Sequence, residues 1–459
     1  MSHESPPNRR LAGQYDLTKG SIAGNLWALS WPMLITNTLN TLGPAIDMVW
    51  VGRLGTASIA GVGVSGIVLM VINSLILGIF TGTTAMIARS VGAGDEKMAN
   101  RISQQAFVIG AAVSVIIAAI GILFTRPILL LLGIEEAVVD EGTAYMRIQL
   151  IGIVTMAAVQ VFQSIMQASG DSITPMKISI GFRILQILLC PALVFGFWIF
   201  PKLGVSGAAL SNIIAQSAGG VVGLWILFSG RTRIRVSFHD FAIEWGLIWC
   251  AVRIGLPASL TNMERSLAEL LLVRLITPFG TIAVAAHSLA QRVDGFVQVL
   301  GGGLGSASGV LVGQNLGAKE PGRAAKTAWT ASAYATGISL VCSIIIWFWA
   351  EELVHFFSAD TSLVQLTSTF LRIQIVAYLV WGLVVCLSLS LNGAGDTIVP
   401  MLANLITMLG VQLILGYYLS RNTDLGVNGL RWGIVIAMII RALIYVTYFR
   451  TGRWKYKRI

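Results

Sequence analysis

Three carboxylates lie inside long apolar runs of this sequence. Asp47 belongs to the stretch GPAIDMVWVG, and Glu264 and Glu269 belong to the stretch GLPASLTNMERSLAELLLV. An ionised carboxylate within a lipid bilayer is energetically costly, and such residues usually face an aqueous cavity or a partner and serve an ion pathway or a proton relay. The chemistry that these residues indicate is therefore the reversible binding of a proton or another cation.

Asp47 ends a polar stripe on one face of a predicted helix. Asn40, Asn37 and Thr36 precede it by seven, ten and eleven residues, and these spacings keep side chains on one helix face. A stripe of this kind favours a functional role for Asp47. The alternative is that Asp47 simply reaches the membrane interface, because it lies about 30 Å along the helix from Leu26 at about 1.5 Å per residue.

The two glutamates of the second stretch differ in their local partners. Glu264 and Glu269 are five residues apart, about 140° around a helix, and do not share a face. Arg265 precedes Glu269 by four residues on the same face, so an ion pair within the helix can neutralise Glu269. Glu264 has no such partner on its helix, and the sequence favours it over Glu269 as the functional acid.

The elements that position these acids are predicted to be membrane-spanning helices. The 459 residues are 55% hydrophobic and 11% charged, against roughly 25% charged in a soluble protein. A helix of about 20 apolar residues crosses the hydrocarbon core of a bilayer. The sequence predicts an all-α membrane protein with twelve transmembrane helices, near residues 26–51, 59–88, 104–125, 145–168, 173–200, 205–229, 246–277, 283–313, 327–350, 369–392, 398–419 and 428–449.

Basic residues predict the orientation of the chain. With both termini on one side, the tails and loops of that side hold 19 lysines and arginines, and the opposite loops, with Arg431 among them, hold 5. Basic loops stay in the cytoplasm, so both termini are predicted to be cytoplasmic in a plasma membrane, as in a bacterial inner membrane. The net charge of +10 then reflects topology and attraction to anionic lipids. It gives no reason to expect nucleic acid as a partner.

An internal repeat divides the chain into two halves. A shift of 225 residues aligns Pro32 with Pro257, Gly92-Ala93 with Gly317-Ala318, Arg147-Ile148-Gln149 with Arg372-Ile373-Gln374, and Gly170-Asp171 with Gly395-Asp396. Six spans per half make the repeats parallel, and such pairs commonly carry a substrate site between them and work by alternating access. The predicted organisation is a cytoplasmic tail (1–24), an N-lobe of six helices (25–229), a cytoplasmic linker (230–245), a C-lobe of six helices (246–450) and a cytoplasmic tail (451–459).

Several stretches, taken in order, resemble one known family. They are WPMLITNTLNTLGPAIDMVWVGRLGT, ARSVGAGD, QASGDSITPM with its echo NGAGDTIVPM, and GLPASLTNMERS followed by IAVAAHSLAQRV. The resemblance is to the multidrug and toxic compound extrusion (MATE) transporters. It implies two six-helix bundles in a V shape and export of organic, often cationic, compounds by antiport with protons or sodium. The aspartate of the family's first helix falls on Asp47, and the glutamate of its seventh helix falls on Glu264.

Departures from the family pattern bear on the coupling ion. Sodium-coupled members add an aspartate on the tenth helix, where this chain has Tyr378 and Trp381. Some members carry an asparagine and an aspartate on the fifth helix, where it has Gln186 and Cys190. Sodium requires several hard oxygen ligands, a preference extended here from calcium and magnesium. The sequence therefore favours protons over sodium, and predicts no metal or other cofactor.

Further polar residues in the spans have open interpretations. Arg183, on the fifth helix, pairs with Asp47 and favours the ionised acid, counters an anionic substrate, or faces a loop. His287 and Asp294, on the eighth helix, and Tyr378, on the tenth, are predicted to support a C-lobe polar network, and the alternative for His287 is packing between helices. Asp171 and Asp396, in loops before proline, are typical of turns or helix caps.

The predicted function is ion-coupled, proton-favoured antiport of organic compounds by a protein that works as a monomer. The predicted partners are the lipid bilayer, a small organic substrate and the coupling ion. One alternative is a flippase for lipids or oligosaccharide-lipids in the same superfamily, which would need a more cationic cavity. A membrane-embedded enzyme is a remote alternative, because the sequence contains no zinc-binding or phosphate-binding motif of the known patterns.

Overall fold

The computed structural model describes residues 17–131, 135–197, 200–230, 232–234, 236–239, 241–457 and 459, without the side chains of Ala137, Arg265 and Ser266. The described residues form helices and no strands. In chain order the α-helices are α1 (Ile22–Val51), α2 (Thr56–Gly92), α3 (Glu96–Leu131), α4 (Glu136–Ile151), α5 (Ile153–Ser169), α6 (Ile173–Phe195), α7 (Val205–Phe228), α8 (Trp245–Ile276), α9 (Thr281–Gly317), α10 (Pro321–His355), α11 (Thr361–Gly393), α12 (Ile398–Leu405), α13 (Ile414–Asn422) and α14 (Asn428–Thr451).

Nine helical stretches in the described part of the chain are long and apolar enough to cross a membrane, with Ile398–Asn422 counted as one, and the bent pair α4–α5 makes a tenth. The first helix of each half, α1 and α8, is 30 and 32 residues long but falls outside this set. Both helices are long enough to span. They are less hydrophobic because they carry the predicted acids, Asp47 and Glu264, and other polar residues. The polar faces must therefore be covered by protein or water.

The helix boundaries follow the sequence repeat. Adding 225 to the bounds of α2, 56 and 92, gives 281 and 317, which are the bounds of α9. The halves differ at two places. The pair α4–α5 bends by 45° around Gly152, whereas its counterpart α11 is continuous. The counterpart of α6 contains a π-helical segment, Ile406–Leu413, between α12 and α13, and π-helical turns are frequent at functional sites.

Among the described residues, the hydrophobic clusters that combine side chains of both lobes lie at one end of the bundle. One cluster joins α1 to α9, and its members include Leu26, Leu29, Met33, Leu304, Ala307 and Leu311. A second cluster joins α2 to α8, and its members include Ile76, Ile79, Ala251 and Ile254. Both clusters lie at the end of the bundle where α1 begins and α14 ends. Toward the other end each lobe has its own core, so the lobes diverge in a V.

Small residues allow the lobes to approach closely at the shared end. Gly303 of α9 faces α1, where a Cβ atom added to this glycine would lie 2.7 Å from Leu34 Cβ and 2.9 Å from the carbonyl oxygen of Ser30. The hydroxyl of Ser259 in α8 donates to the carbonyl oxygen of Leu75 in α2 at 2.7 Å. These contacts hold the N-terminal halves of α1 and α8 against the opposite lobe.

Candidate functional site

Helix α1 carries Asp47 into the interior of the N-lobe, where the residue is 0% exposed. The hydroxyl of Tyr145 on α4 donates to Oδ2 at 2.8 Å, and Nε2 of Gln186 on α6 donates to Oδ1 at 2.9 Å. Both donors are neutral, so the carboxyl group is satisfied by hydrogen bonds rather than by a direct ion pair. Its burial also excludes the alternative in which Asp47 reaches the surface at the end of its helix.

A chain of polar side chains leads away from Asp47 across the lobe. Gln149 donates to the Tyr145 hydroxyl at 3.0 Å, Asn212 of α7 donates to Gln149 at 3.4 Å, and Gln216 donates to Asn212 at 2.9 Å. Every member of this chain is neutral and can both donate and accept. A change in the hydrogen bonding of Asp47 is therefore passed to α4 and α7.

Arg183 reaches Asp47 indirectly. It is 4% exposed, donates to the side-chain oxygen of Gln186, and places its guanidinium 5.1 Å from the ring centroid of Phe182. The interpretation in which Arg183 faces a loop is wrong, because Arg183 lies in the middle of α6 and its side chain is buried. Gly43 of α1 makes room for it, since a Cβ atom at this position would collide with the guanidinium. Arg183 thus places a positive charge near Asp47, to which it is linked through the side chain of Gln186.

The remaining members of the predicted stripe lie outside this network. The hydroxyl of Thr36 is buried and donates to the carbonyl oxygen of Pro32 at 2.9 Å. Asn37 is half-buried and Asn40 is exposed. Among the described residues, the hydrogen bonds around Asp47 do not extend to any of the three. Helical spacing predicts a shared polar face, but it does not predict which residues contact the acid.

Glu264 is the buried acid of α8. It is 6% exposed, and neither carboxyl oxygen has a hydrogen-bond partner among the residues that the structure describes. Arg441 of α14 is its electrostatic partner. The Nε group of Arg441 donates at 2.8 Å to the hydroxyl of Thr407 in the π-helical segment. A buried carboxyl group without hydrogen bonds is rare in proteins and requires an explanation.

The predicted ion pair of Glu269 lies partly outside the described residues, because the side chain of Arg265 is among those not described. Glu269 itself is half-buried. Glu264 is therefore the more enclosed of the two acids.

A second buried polar cluster joins three helices of the C-lobe. It consists of His287 and Asp294 on α9, Tyr378 on α11 and Arg431 on α14, and we call it the α9–α14 cluster. Tyr378 donates to Asp294 Oδ1, and Arg431 lies 3.4 Å from Asp294 Oδ2 and 3.0 Å from His287 Nδ1. The sequence predicts the first three residues as supporting polar groups, and the structure brings them together.

Two arginines of these sites were missed by sequence reasoning. Arg431 is predicted in an outer loop, but it lies within α14 and is 2% exposed, so that prediction is wrong. Its charge is satisfied by Asp294, and burial of a charge without such a partner would be prohibitive. The sequence pattern predicts no role for Arg441. The signal in both cases is an arginine inside the predicted span 428–449.

Two lobes that diverge from a shared end, each with a buried acid on its first helix, are characteristic of a secondary transporter built from repeats. The fold matches a crystal structure of a MATE protein in the bent conformation with a TM-score of 0.90 and 24% identity, covering 95% of this chain and 96% of that chain. The MatE family model matches residues 32–192 and 257–418. The chain belongs to the MATE family and is a multi-pass membrane transporter.

Named relatives cover nearly the whole chain. The protein is 26% identical over 434 residues to the probable multidrug resistance protein YoeA of Bacillus subtilis, which covers 93% of both chains. It is 24% identical over 437 residues to a protein of Shewanella oneidensis named FAD transporter, which covers 94% of this chain and 95% of the relative. These similarities confirm the family that the sequence motifs indicate.

Proposed function

We propose that this transporter is a proton-coupled antiporter that exports organic, mainly cationic, compounds by alternating access. The observation that carries the proposal is the fully buried carboxyl group of Asp47, which accepts hydrogen bonds from neutral donors. One of these donors, Gln186, also binds the buried Arg183. We place the protein in a plasma membrane with both termini in the cytoplasm, acting as a monomer. In that orientation the closed end of the V faces the cytoplasm, and the cleft opens to the outside.

Protonation of Asp47 forces a rearrangement of its neighbours. The ionised carboxylate accepts from Tyr145 and Gln186. A proton on Oδ2 turns that oxygen from an acceptor into a donor, so the Tyr145 hydroxyl must accept instead and direct its own hydrogen elsewhere. Gln149 already donates to this hydroxyl. Uptake of one proton therefore changes the hydrogen bonds that join α1, α4 and α7.

Glu264 provides the second exchange group in the opposite lobe. Its two oxygens have no hydrogen bonds among the described residues, so a bound proton or a cationic substrate would satisfy what the protein leaves open. Arg441 supplies the compensating charge when neither is bound. Proton and substrate then compete for the same carboxylates, and each ligand shifts the lobes only by its difference in affinity between the two states.

The buried arginines support efflux rather than the flippase alternative. Arg183 is bound to Gln186, Arg431 to Asp294 and His287, and Arg441 to Thr407. A flippase that holds a pyrophosphate headgroup needs cationic side chains free to bind it. Each of these three guanidinium groups is instead held by at least one hydrogen bond within the protein.

The test is transport of a fluorescent organic cation in proteoliposomes, under an imposed pH gradient and then an imposed sodium gradient. The variants are Asp47→Asn and Glu264→Gln, with Asp140→Asn as the matched control, because the side chain of Asp140 is 64% exposed. We expect transport that follows the pH gradient, at least a tenfold loss in both site variants, and no loss in the control. Transport driven by sodium alone, or unaffected by both site variants, would refute the proposal.

A further inference from the structure

The α9–α14 cluster contains more polar groups than its hydrogen bonds satisfy. His287 is 1% exposed and Arg431 is 2% exposed, yet His287 Nε2 and Arg431 Nε have no hydrogen-bond partner among the residues that the structure describes. Partly satisfied buried networks are costly, because an unpaired polar group in a low dielectric loses its solvation without compensation. A cluster that served only to hold the helices together would be better built from apolar side chains.

The sequence repeat shows that the fold does not require this cluster. The N-lobe positions 225 residues earlier than His287, Asp294 and Tyr378 hold Val62, Leu69 and Ile153, and the match of LGVSG at the start of α7 with LGVNG at the start of α14 places Ala209 at the position of Arg431. The N-lobe therefore packs the same four helix positions with apolar or small side chains. In the same way, the C-lobe lacks the polar pair of the N-lobe, because Asp47 corresponds to Leu272 and Tyr145 corresponds to Phe370.

Arg431 divides its guanidinium between two partners. One terminal nitrogen lies 3.4 Å from Asp294 Oδ2, and the other lies 3.0 Å from His287 Nδ1 and donates to the His287 carbonyl oxygen at 3.4 Å. Its face lies 4.9 Å from the centroid of the Phe370 ring. The contact with Asp294 is long for a charge-assisted hydrogen bond, which is normally about 2.7–2.9 Å. Arg431 thus has a second set of partners that remains when the contact with Asp294 is lost.

We propose that the α9–α14 cluster is a further proton-exchange site of the transport cycle, in which a proton displaces Arg431 from Asp294. This inference rests on the proposed function of proton-coupled transport. The proton forms an O–H bond at Asp294 Oδ2, Arg431 stays on His287 and its carbonyl oxygen, and the same proton leaves when the ion pair re-forms. Asp294 retains 8% exposure, so its side chain is not completely enclosed.

The titratable and charged groups that face Asp294 come from each helix around it. Among the described residues they are Tyr378 on α11 and Arg431 on α14, with His287 of α9 bound to Arg431 and Cys342 of α10 near Tyr378. The site is distinct from that of Glu264. Its arginine precedes Arg441 by ten residues on α14, which is about 15 Å along the helix axis.

The experiment compares Asp294→Asn with the charge-balanced double variant Asp294→Asn/Arg431→Gln in proteoliposomes. The single variant leaves the buried charge of Arg431 without its counter-ion, so we expect it to lower both thermal stability and transport. The double variant removes both charges, so we expect it to recover the unfolding temperature but to retain at least a tenfold loss of pH-driven transport. Recovery of both properties in the double variant would show a structural ion pair only and overturn the proposal.

Tyr378→Phe provides a second test that keeps both charges in place. It removes the hydrogen bond that Tyr378 donates to Asp294. Loss of a hydrogen bond to a charged group shifts the pH at which that group binds its proton by about one unit. We expect the pH profile of transport to move by that amount, and an unmoved profile would overturn the proposal. Wild-type protein without pH-driven transport would instead refute the proposed function. Wild-type transport together with unaffected Asp294 and Tyr378 variants would refute this inference alone.

Discussion

Replacement of Gly303 by alanine tests whether the lobes close as this structure shows. The added methyl group would lie 2.7 Å from Leu34 Cβ, 2.9 Å from the carbonyl oxygen of Ser30 and 3.1 Å from Leu34 Cα. Non-bonded carbon atoms are comfortable at about 3.5–4.0 Å. Helix α1 and helix α9 must therefore separate by about 1 Å at this point, or the neighbouring side chains must move by as much.

The cost of this change falls on the closed arrangement of the shared end. Overpacking of this kind costs about 1–3 kcal/mol. Conformations in which the lobes part at this end avoid the clash, so their population is expected to rise by about 5- to 150-fold relative to the closed arrangement. Gly302 is the matched control, because a methyl group added there meets nothing within 4 Å. The higher helix propensity of alanine, up to about 1 kcal/mol, is common to both variants.

The assay is the distance distribution between spin labels at Lys97 and Lys319, two exposed positions in opposite lobes at the closed end. We expect a longer-distance population in Gly303→Ala and a distribution in Gly302→Ala that matches the unaltered protein. Transport of the fluorescent cation should fall in the first variant and not in the second. Equal distributions and equal transport in the two variants would refute the packing argument.

Three further substitutions have expected outcomes that thermal unfolding of the purified protein can check. Tyr145→Phe removes a donor to buried Asp47 and should cost about 1–3 kcal/mol, and an unchanged unfolding temperature would contradict the hydrogen bond at 2.8 Å. Asp396→Ala should destabilise the protein by a similar amount, about 1–3 kcal/mol, because its carboxylate is 1% exposed and binds Lys457 at 3.0 Å. A loss of less than about 0.5 kcal/mol would show that Asp396 serves only the local turn. Arg126→Ala should change stability by less than about 1 kcal/mol, because its ion pairs with Glu136 and Asp140 are exposed to solvent. A larger loss of stability would show that these ion pairs are shielded from solvent.

The spans and the repeat could be predicted because their signals are local. Apolar runs long enough to cross a bilayer are read directly from the chain, and the shift of 225 residues gives the bounds of α9 from those of α2. Asp47 and Glu264 stand out for the same reason, because an acid within an apolar run is unfavourable without a partner. The family motifs add the two-lobed plan, which the structural match confirms.

The contacts of the site could not be read from the sequence. Asp47 binds Tyr145 and Gln186, which are 98 and 139 residues away in the sequence. Arg431 contacts His287 across a sequence separation of 144 residues. Such pairs depend on the rotation and depth of each helix in the bundle, and neither is fixed by the hydropathy of a single span. Helical spacing placed Asn37 and Asn40 on the face of Asp47, yet the acid is bound by other helices.

The sequence by itself determined that this chain is a two-lobed membrane transporter with an acid buried in each lobe, because the bilayer imposes a strict length and polarity on every span. The tertiary structure alone decided which buried charges are paired and at which end the lobes meet. The Arg431 prediction failed for this reason. An arginine near the end of a span satisfies the sequence rules equally well in a loop or in the core, and only the position of Asp294 on a neighbouring helix distinguishes the two.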